Sequence, residues 1–477
     1  MEGENNISSG GEPSSNNTLT QLHQAMAEAV ERLQEERESV PCLLQPEEKP
    51  AATMFGVRRK LFVDVLMMCW GMGSWLGVNG LYVQLPLLVK TAPESWALPA
   101  AMVLAVQAAN LAPLLYALLR RLRPSARDSP YIYILLAAGA LALLLNAFLY
   151  NYTVVIAGKE ISFAFLSLTF LAASVGCGSS VLFYPYLRHF RDVYLATYLV
   201  GEGLSGFVPS LIALAQGVGG DPECLSGPDG KLYPEYAPPR FDVSTFLGVL
   251  SALGALSFVS FTLLDSLPSL GSERVAASNA AKGEEAAAAR ARLTAPDWLL
   301  LLGGTAALNA LANGVMPSVQ SYACMPYGAG SYHLAATLGA MANPAACLCG
   351  VWLRPLGPRA LAALLLLAAL PVTYVVVLAA LSPRPPLVGE AAGAALAVLA
   401  WVAASAGLSY ARMWTYGRAR AGGARGMRAA GAATQVGSAL GSLLLYWLVN
   451  YAAVFQQAPE CPAALSAAAN HNATSPL

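Results

Sequence analysis

Four groups of polar or small residues inside the apolar part of this chain recur about 233 residues later. The matched pairs are Asn79 with Asn313, Asn110 with Asn343, Glu202 with Gln435, and residues 172–176 (AASVG) with 403–407 (AASAG), at offsets of 234, 233, 233 and 231. Amide and carboxyl groups can hydrogen-bond a solute, and a polar residue in hydrocarbon is costly enough to be seldom without a function. The duplication therefore predicts two related halves that face each other around a central binding site.

The composition places these residues in a membrane protein. The chain has 477 residues, of which 56% are hydrophobic and only 12% are charged, and its mean hydropathy is +0.51. Soluble domains carry about 25% charged residues. The formal net charge is zero, so nothing indicates a nucleic-acid partner. No nucleophile-elbow, zinc-protease or phosphate-loop pattern is present, so neither an enzyme nor a cofactor or metal site is expected.

Apolar stretches predict an all-α membrane protein with eleven transmembrane helices, since about 20 apolar residues cross a bilayer. They lie at 61–88, 98–119, 130–150, 161–186, 193–217, 243–265, 297–320, 331–353, 359–381, 388–411 and 429–454. The predicted organisation is a disordered cytoplasmic tail (1–57), a six-helix half (58–265), a cytoplasmic linker (266–296), a five-helix half (297–454) and an extracellular tail (455–477). The first and seventh spans run the same way, which indicates a parallel repeat.

Lysine and arginine residues predict the orientation. Twenty of them fall in loops on one side of the spans and five on the other, so the N-terminus is predicted in the cytoplasm and the C-terminus outside. The outer five are Lys90, Lys159, Lys231, Arg240 and Arg384. The arginines that follow the tenth span, beginning with Arg412, count with the cytoplasmic side. No lysine or arginine is therefore expected deep in a span.

Several predicted outer residues are candidates for modification. Asn472 and Asn151 each begin an N-x-Thr pattern for N-glycosylation. Cys224, Cys324 and Cys461 are predicted to lie outside, where disulfides form. A bridge between Cys224 and Cys324 is the preferred pairing, and the sequence leaves the other pairings open.

Glu202 is the candidate with the most distinctive chemistry. It lies about 12–15 Å along the fifth span, near the middle of the bilayer. A protonated glutamic acid bonded to a neighbouring helix is one interpretation, and a substrate or proton contact in a wet cavity is the other. The other candidate substrate contacts are Trp75, Asn79, Gln84, Asn110, Asn313, Gln320, Tyr327, His333, Asn343 and Gln435. Any single amide among them could equally be a packing contact between helices.

These residues occur in motifs that resemble the riboflavin transporter family, solute carrier family 52. The motifs include residues 71–75 (GMGSW), 78–80 (VNG), 203–205 (GLS), 313–321 (NGVMPSVQS), 342–344 (ANP) and 435–438 (QVGS). The resemblance implies eleven spans in the plasma membrane and sodium-independent uptake of riboflavin by alternating access. It also implies an architecture similar to the major facilitator and equilibrative nucleoside transporters. A monomer in the lipid bilayer is expected.

Two positions depart from the family pattern. Members of the family carry Glu where this chain has Gln84, and Gln where it has Glu202. We hypothesise that these two side chains share one cavity that requires one acidic group.

Riboflavin suits a site of tryptophan, tyrosine and amide side chains, because it is neutral at pH 7 and has a flat ring system with a polyol tail. Another flat neutral solute, such as a nucleoside, is the nearest alternative. A multi-pass receptor is the alternative from a different class.

Overall fold

The computed structural model describes most of the chain between Lys60 and Ala458. The described residues are 60–123, 127–187, 189–191, 193–218, 223–226, 232–274, 295–352, 358–421, 423–452 and 454–458. The predicted tail at 1–57, most of the predicted tail at 455–477, and with them Asn472 and Cys461, lie outside these residues.

Helices make up nearly all of the described secondary structure. In the N-terminal half they are α1 (Leu61–Met72), α2 (Leu76–Leu88), α3 (Leu98–Ala108), α4 (Leu111–Leu122), α5 (Ser129–Leu149), α6 (Phe163–Leu187), α7 (Val193–Gln216) and α8 (Val243–Ser266). In the C-terminal half they are α9 (Ala295–Ala310), α10 (Met316–Cys324), α11 (Ala329–Trp352), α12 (Pro358–Ala380), α13 (Ala391–Ala421) and α14 (Gly423–Asn450). Two antiparallel hairpins lie in loops and pair β1 (Val154–Ile156) with β2 (Lys159–Ile161) and β3 (Glu223–Ser226) with β4 (Leu232–Glu235).

A helix, or a helix broken in two, lies at each of the eleven predicted spans. Within the described residues, eight helices are long and apolar enough to cross a bilayer, and the bent pair α1–α2 adds a ninth. The all-α membrane class is therefore confirmed. The seventh and eighth spans do not meet the same test of length and apolar content, so the count of eleven crossings stays a prediction.

Irregular helix geometry accompanies the Asn-Gly pairs of the first and seventh spans. The helices α1 and α2 are bent by 52° around residues 73–75, shortly before Asn79. In the seventh span, a π-helical turn at Leu311–Val315 contains Asn313 and joins α9 to α10. Such turns inside helices are often found at functional sites. In the seventh span the Asn-Gly pair lies within the irregular turn, whereas in the first span the break precedes the pair.

The two halves pack corresponding helices together. The first span packs on the fifth through α1 and α7, as the seventh packs on the eleventh through α9 and α14. Gly201 of α7 faces the carbonyl oxygen of Met68 in α1, and Gly437 of α14 faces the carbonyl oxygen of Ala306 in α9. Small residues let helix backbones approach closely where lipid supplies no hydrophobic driving force. This matched packing supports the predicted duplication.

The halves are joined at the end that is predicted to face outside. Ser321 Oγ donates a hydrogen bond to the carbonyl oxygen of Trp96 at 2.6 Å, and both residues are buried. The Trp96 ring also meets the Tyr322 ring edge-on, with centroids 5.9 Å apart. Nε2 of Gln457 donates to Oγ of Ser95 at 2.8 Å. Nearer the middle of the molecule, α7 packs against α11.

At the opposite end, the start of the predicted linker docks on the N-terminal half. Pro268–Glu273 forms a 3-10 turn, and the buried Glu273 carboxylate accepts hydrogen bonds from Tyr194 at 2.9 Å and Arg191 at 3.1 Å, with Lys60 3.8 Å away. Burial acts to raise the pKa of Glu273, but the hydrogen bonds and the positive charges outweigh it, so this pKa is lowered. The rest of the linker, 275–294, lies outside the described residues, and its boundaries stay a prediction.

Replacing Glu273 with glutamine is expected to destabilise the solubilised protein at neutral pH by about 1–3 kcal/mol, the usual contribution of hydrogen bonds to a charged group. Because its folded-state pKa is lowered, this stabilisation is fully present above the unfolded value of about 4.3 and is lost as the pH falls through the folded value. Thermal unfolding of wild type and Glu273→Gln across this range measures the difference. The exposed Glu160→Gln is the control, and a difference that stays constant with pH would contradict the assignment.

Candidate functional site

Two predicted site residues make the same hydrogen bond in the two halves. Nδ2 of Asn79 donates to Oγ of Ser205 at 3.1 Å, and Nδ2 of Asn313 donates to Oγ of Ser438 at 3.0 Å. The donors are 234 residues apart and the acceptors 233. Each bond connects the first span of its half to the fifth. The repeat in the sequence is therefore also a repeat of side-chain contacts.

A second hydrogen bond is duplicated around Glu202. The Tyr184 hydroxyl donates to Oε2 of Glu202 at 2.7 Å, and the hydroxyls of Tyr416 and Thr434 lie 2.6 Å apart. In each pair the two partners are 18 residues apart in the sequence, and each residue of the second pair follows its counterpart in the first by 232 residues. By contacts, the counterpart of Glu202 is Thr434, whereas the sequence offset pairs it with Gln435, which is exposed. A carboxyl group in one half thus corresponds to a hydroxyl in the other.

Glu202 and Asn343 lie where the two halves cross. A Cβ atom on Gly203 would be 3.3 Å from Cβ of Pro344, and these residues directly follow Glu202 and Asn343 in the chain. Glu202 is half-buried and Asn343 is exposed. One predicted polar residue from each half therefore adjoins the crossing of α7 and α11 in the chain.

Arg412 also enters this region, and its assignment to the cytoplasmic flank is wrong. The helix α13 continues to Ala421, so Arg412 lies nine residues inside it. Nη1 of Arg412 donates to Oδ1 of Asn313 at 3.3 Å. Cys347 of α11 lies close enough to both Arg412 and Glu202 to interact with the charge of each. The candidate site thus contains an arginine that sequence reasoning missed.

Gln84 does not share a cavity with Glu202, so that hypothesis is wrong. Nε2 of Gln84 donates to Oε1 of Gln216 at 2.6 Å, and both side chains are fully buried. Gln216 is the last residue of α7, 14 residues after Glu202, or about 21 Å at 1.5 Å per residue. Nε2 of Gln216 in turn donates to the carbonyl oxygens of Phe241 and Asp242. Gln84 therefore belongs to a structural contact at the outer end of the fifth span.

Trp75 and Asn110 lie at helix breaks. Trp75 precedes α2, and its ring covers Gly176 of α6, where an added Cβ would be 2.7 Å away. Asn110 stands between α3 and α4, and its Nδ2 donates to the carbonyl and the side-chain oxygen of Gln107, both at 3.2 Å. Gly176, the last residue of the AASVG motif, thus leaves space for the Trp75 ring. The sequence alone does not reveal this contact.

Three of the predicted contacts lie toward the outer end. Gln320 is buried in α10, and His333 is buried near the start of α11. The Tyr327 hydroxyl donates to the carbonyl oxygen of Pro386 at 2.7 Å, in the loop between α12 and α13. Tyr327 is therefore placed apart from the group around Glu202.

The predicted disulfide between Cys224 and Cys324 is wrong. Cys224, in β3, is disulfide-bonded, whereas Cys324, at the end of α10, is a free and buried thiol. Asn151 is exposed in the turn after α5, and its glycosylation stays a prediction.

The candidate site is defined by side-chain contacts rather than by an enclosed volume. A cavity of about 20 Å³ within the N-terminal half is lined by Leu76 and Leu136 among others. A groove of about 470 Å³ between α12 and α13 is lined by Tyr374 and Leu399 among others. Glu202 lines neither of them.

Known proteins resemble this chain in sequence and in backbone. A family model described as solute carrier family 52, riboflavin transporter, matches residues 59–457. The chain is 35% identical to solute carrier family 52, riboflavin transporter, member 3-B of Danio rerio over 452 residues, covering 84% of this chain and 98% of the relative. It is 37% identical to member 2 of Homo sapiens over 436 residues, covering 84% and 97%. A solved structure of the nucleoside transporter NupG matches with a TM-score of 0.49 and 13% identity, over 82% of this chain and 91% of that chain.

Proposed function

This chain belongs to solute carrier family 52, the riboflavin transporters, and from this premise we propose that it carries riboflavin into the cell across the plasma membrane. The observation that carries the proposal is the family match over residues 59–457, which includes every described helix. The chain is a multi-pass membrane protein of a transporter family and not an enzyme. The distribution of lysine and arginine supports a cytoplasmic N-terminus and an extracellular C-terminus.

The arrangement of the halves supports transport by alternating access. Contacts such as the bond from Ser321 to Trp96 join the halves at the outer end, and the crossing at Gly203 and Pro344 lies near the middle of both helices. Rocking of the halves about that crossing would separate the outer contacts, as in other transporters built from repeats. A monomer contains both halves and is sufficient for this cycle.

The polar groups at the crossing suit a neutral solute. Nδ2 of Asn79 donates to Ser205, and no hydrogen bond from a described residue reaches its Oδ1, so this oxygen can accept a hydrogen bond from a hydroxyl group of the substrate. Asn343 is exposed next to Pro344 of the crossing and can both donate and accept. We assign these groups to the polyol tail of riboflavin, and Trp75 to the boundary of the same site.

Uptake of labelled riboflavin in cells that express the chain tests this function. We expect saturable uptake that unlabelled riboflavin and lumiflavin inhibit, that uridine at equal concentration leaves nearly unchanged, and that persists when sodium is replaced by choline. Mock-transfected cells are the control. Inhibition by uridine as strong as that by lumiflavin would indicate a nucleoside transporter, and failure to accumulate riboflavin despite surface expression would favour a receptor.

A further inference from the structure

Arg412 is placed where an arginine needs a functional reason. It lies nine residues from the end of α13, and Glu202 lies nine residues from the start of α7, so each is about 13 Å from the cytoplasmic end of its helix. A guanidinium within a span costs at least about 2.5 kcal/mol on membrane-insertion scales. Among the described residues, no carboxylate forms a salt bridge with Arg412. Stability therefore does not explain its presence.

Most of the hydrogen-bonding capacity of Arg412 is unused. A guanidinium has five N–H donors, and in the described part of the chain one of them bonds a side chain, at Oδ1 of Asn313. Asn313 in turn donates to Ser438, which holds its amide in this orientation. Within the part of the chain that the structure describes, the equivalent Asn79 in the other half has no such partner on its side-chain oxygen. The C-terminal half thus presents a positioned cation whose remaining donors are available to a ligand.

The opposite half presents a carboxyl group to the same region. Glu202 accepts a hydrogen bond from Tyr184 on one oxygen, and no described residue donates to its other oxygen, which can accept from a ligand. The helix α11 packs against both α7, which carries Glu202, and α13, which carries Arg412. Cys347 of α11, which is exposed, is near enough to both side chains to interact with the charge of each. A hydrogen-bond donor group and an acceptor group from different halves therefore lie near the crossing of α7 and α11.

This donor and acceptor pair matches one edge of the proposed substrate. The pyrimidine ring of a flavin carries an imide, in which an N–H donor stands between two carbonyl acceptors. Resting on the proposed riboflavin transport, we propose that Arg412 is a substrate-binding residue that donates to an imide carbonyl while Glu202 accepts the imide N–H. Recognition by charged partners is stronger than by neutral ones and does not require a charged substrate. Because Arg412 and Glu202 belong to different halves, the bound substrate connects the two halves during transport.

Binding of riboflavin and of riboflavin methylated on its imide nitrogen tests this assignment. The full chain is purified in detergent, and quenching of flavin fluorescence gives both affinities for wild type, Arg412→Lys and Arg412→Gln. We expect wild type to bind the methylated flavin at least about tenfold more weakly than riboflavin, and Arg412→Gln to lose about 10–100-fold in riboflavin affinity, as for a charged hydrogen bond. In Arg412→Gln the methylated flavin is expected to bind less than about threefold more weakly than riboflavin, because no arginine then fixes the imide edge of the flavin. The riboflavin affinity of Arg412→Lys is expected to lie between those of wild type and Arg412→Gln.

The matched control is Arg418→Gln, a neutralised arginine two turns further along α13, which is expected to bind both flavins like wild type. Equal weakening of both flavins in Arg412→Gln, with the methylation penalty unchanged, would show that Arg412 only holds Asn313 and would overturn the inference. Wild-type affinity in Arg412→Gln would overturn it as well. No binding of riboflavin to wild type would overturn the proposed function, and the inference with it. Arg412→Lys keeps the positive charge of the helix. If Arg412→Gln does not fold, the affinities of Arg412→Lys for riboflavin and for the methylated flavin test the inference instead.

Discussion

Replacing Glu202 with lysine is expected to abolish riboflavin uptake. An ammonium group cannot accept the hydrogen bond that Tyr184 donates at 2.7 Å, and it adds a second positive charge to a region where the charge of Arg412 already acts on Cys347. A lysine in a span also costs about 2.5–3.5 kcal/mol on insertion scales. Initial uptake of labelled riboflavin, normalised to transporter at the cell surface, measures the effect. We expect a loss of at least about 100-fold, which corresponds to about 2.7 kcal/mol.

Two variants separate this effect from a change in net charge. Glu202→Gln retains an acceptor for Tyr184, so uptake is expected to persist with KM raised by less than about tenfold. Glu160→Lys makes the same charge change in the exposed outer hairpin and is expected to leave uptake within about twofold of wild type. Substantial uptake by the Glu202→Lys variant would contradict the placement of Glu202 in the transport path.

Replacing Gly201 with alanine is expected to destabilise the protein by about 1–3 kcal/mol or more. A Cβ atom at this position would overlap the backbone carbonyl oxygen of Met68, and backbone can yield only if α1 moves away from α7. Gly71 makes the reciprocal approach, since its Cβ would overlap the carbonyl oxygen of Tyr198. The effect is measured as the apparent unfolding temperature and the yield of monodisperse protein in detergent, both of which should fall.

Gly303→Ala is the matched control for this substitution. Gly303 lies in the interior of α9, and nothing lies within 4 Å of an added Cβ. Because alanine favours a helix by up to about 1 kcal/mol over glycine, this variant is expected to be neutral or slightly stabilised. Similar unfolding temperatures for Gly201→Ala and Gly303→Ala would show that α1 and α7 are not in close backbone contact.

The helices themselves could be predicted from the sequence, because apolar length is a local property that the thickness of the bilayer sets. Each of the eleven predicted stretches contains a helix, and bounds such as Val243–Ser266 differ by one residue from the prediction. The chief error in a helix end is at α13, which continues to Ala421 although its apolar stretch ends before the first arginine, Arg412. Trp414 and Tyr416 beyond it were a signal that the helix continues.

The sequence also determined, by itself, that one polar pair repeats between the halves, although it did not identify Thr434 as the counterpart of Glu202. Asn79 and Asn313 make equivalent hydrogen bonds, as their spacing indicated, because a duplicated helix pair conserves the rotation of its helices. Composition and the family motifs were sufficient for the class of protein and the proposed substrate. Each of these inferences depends on residues that are near in sequence or related by one constant offset.

Only the tertiary structure decided which side chains meet across helices. Gln84 bonds Gln216 rather than sharing a space with Glu202, Cys324 is free, and Arg412 reaches Asn313, 99 residues away. The physical reason is that such contacts depend on the tilt and rotation of separate helices, where one residue of difference turns a side chain by about 100°. Hydropathy determines that a helix crosses the bilayer, but it does not determine which of its faces meets which neighbour.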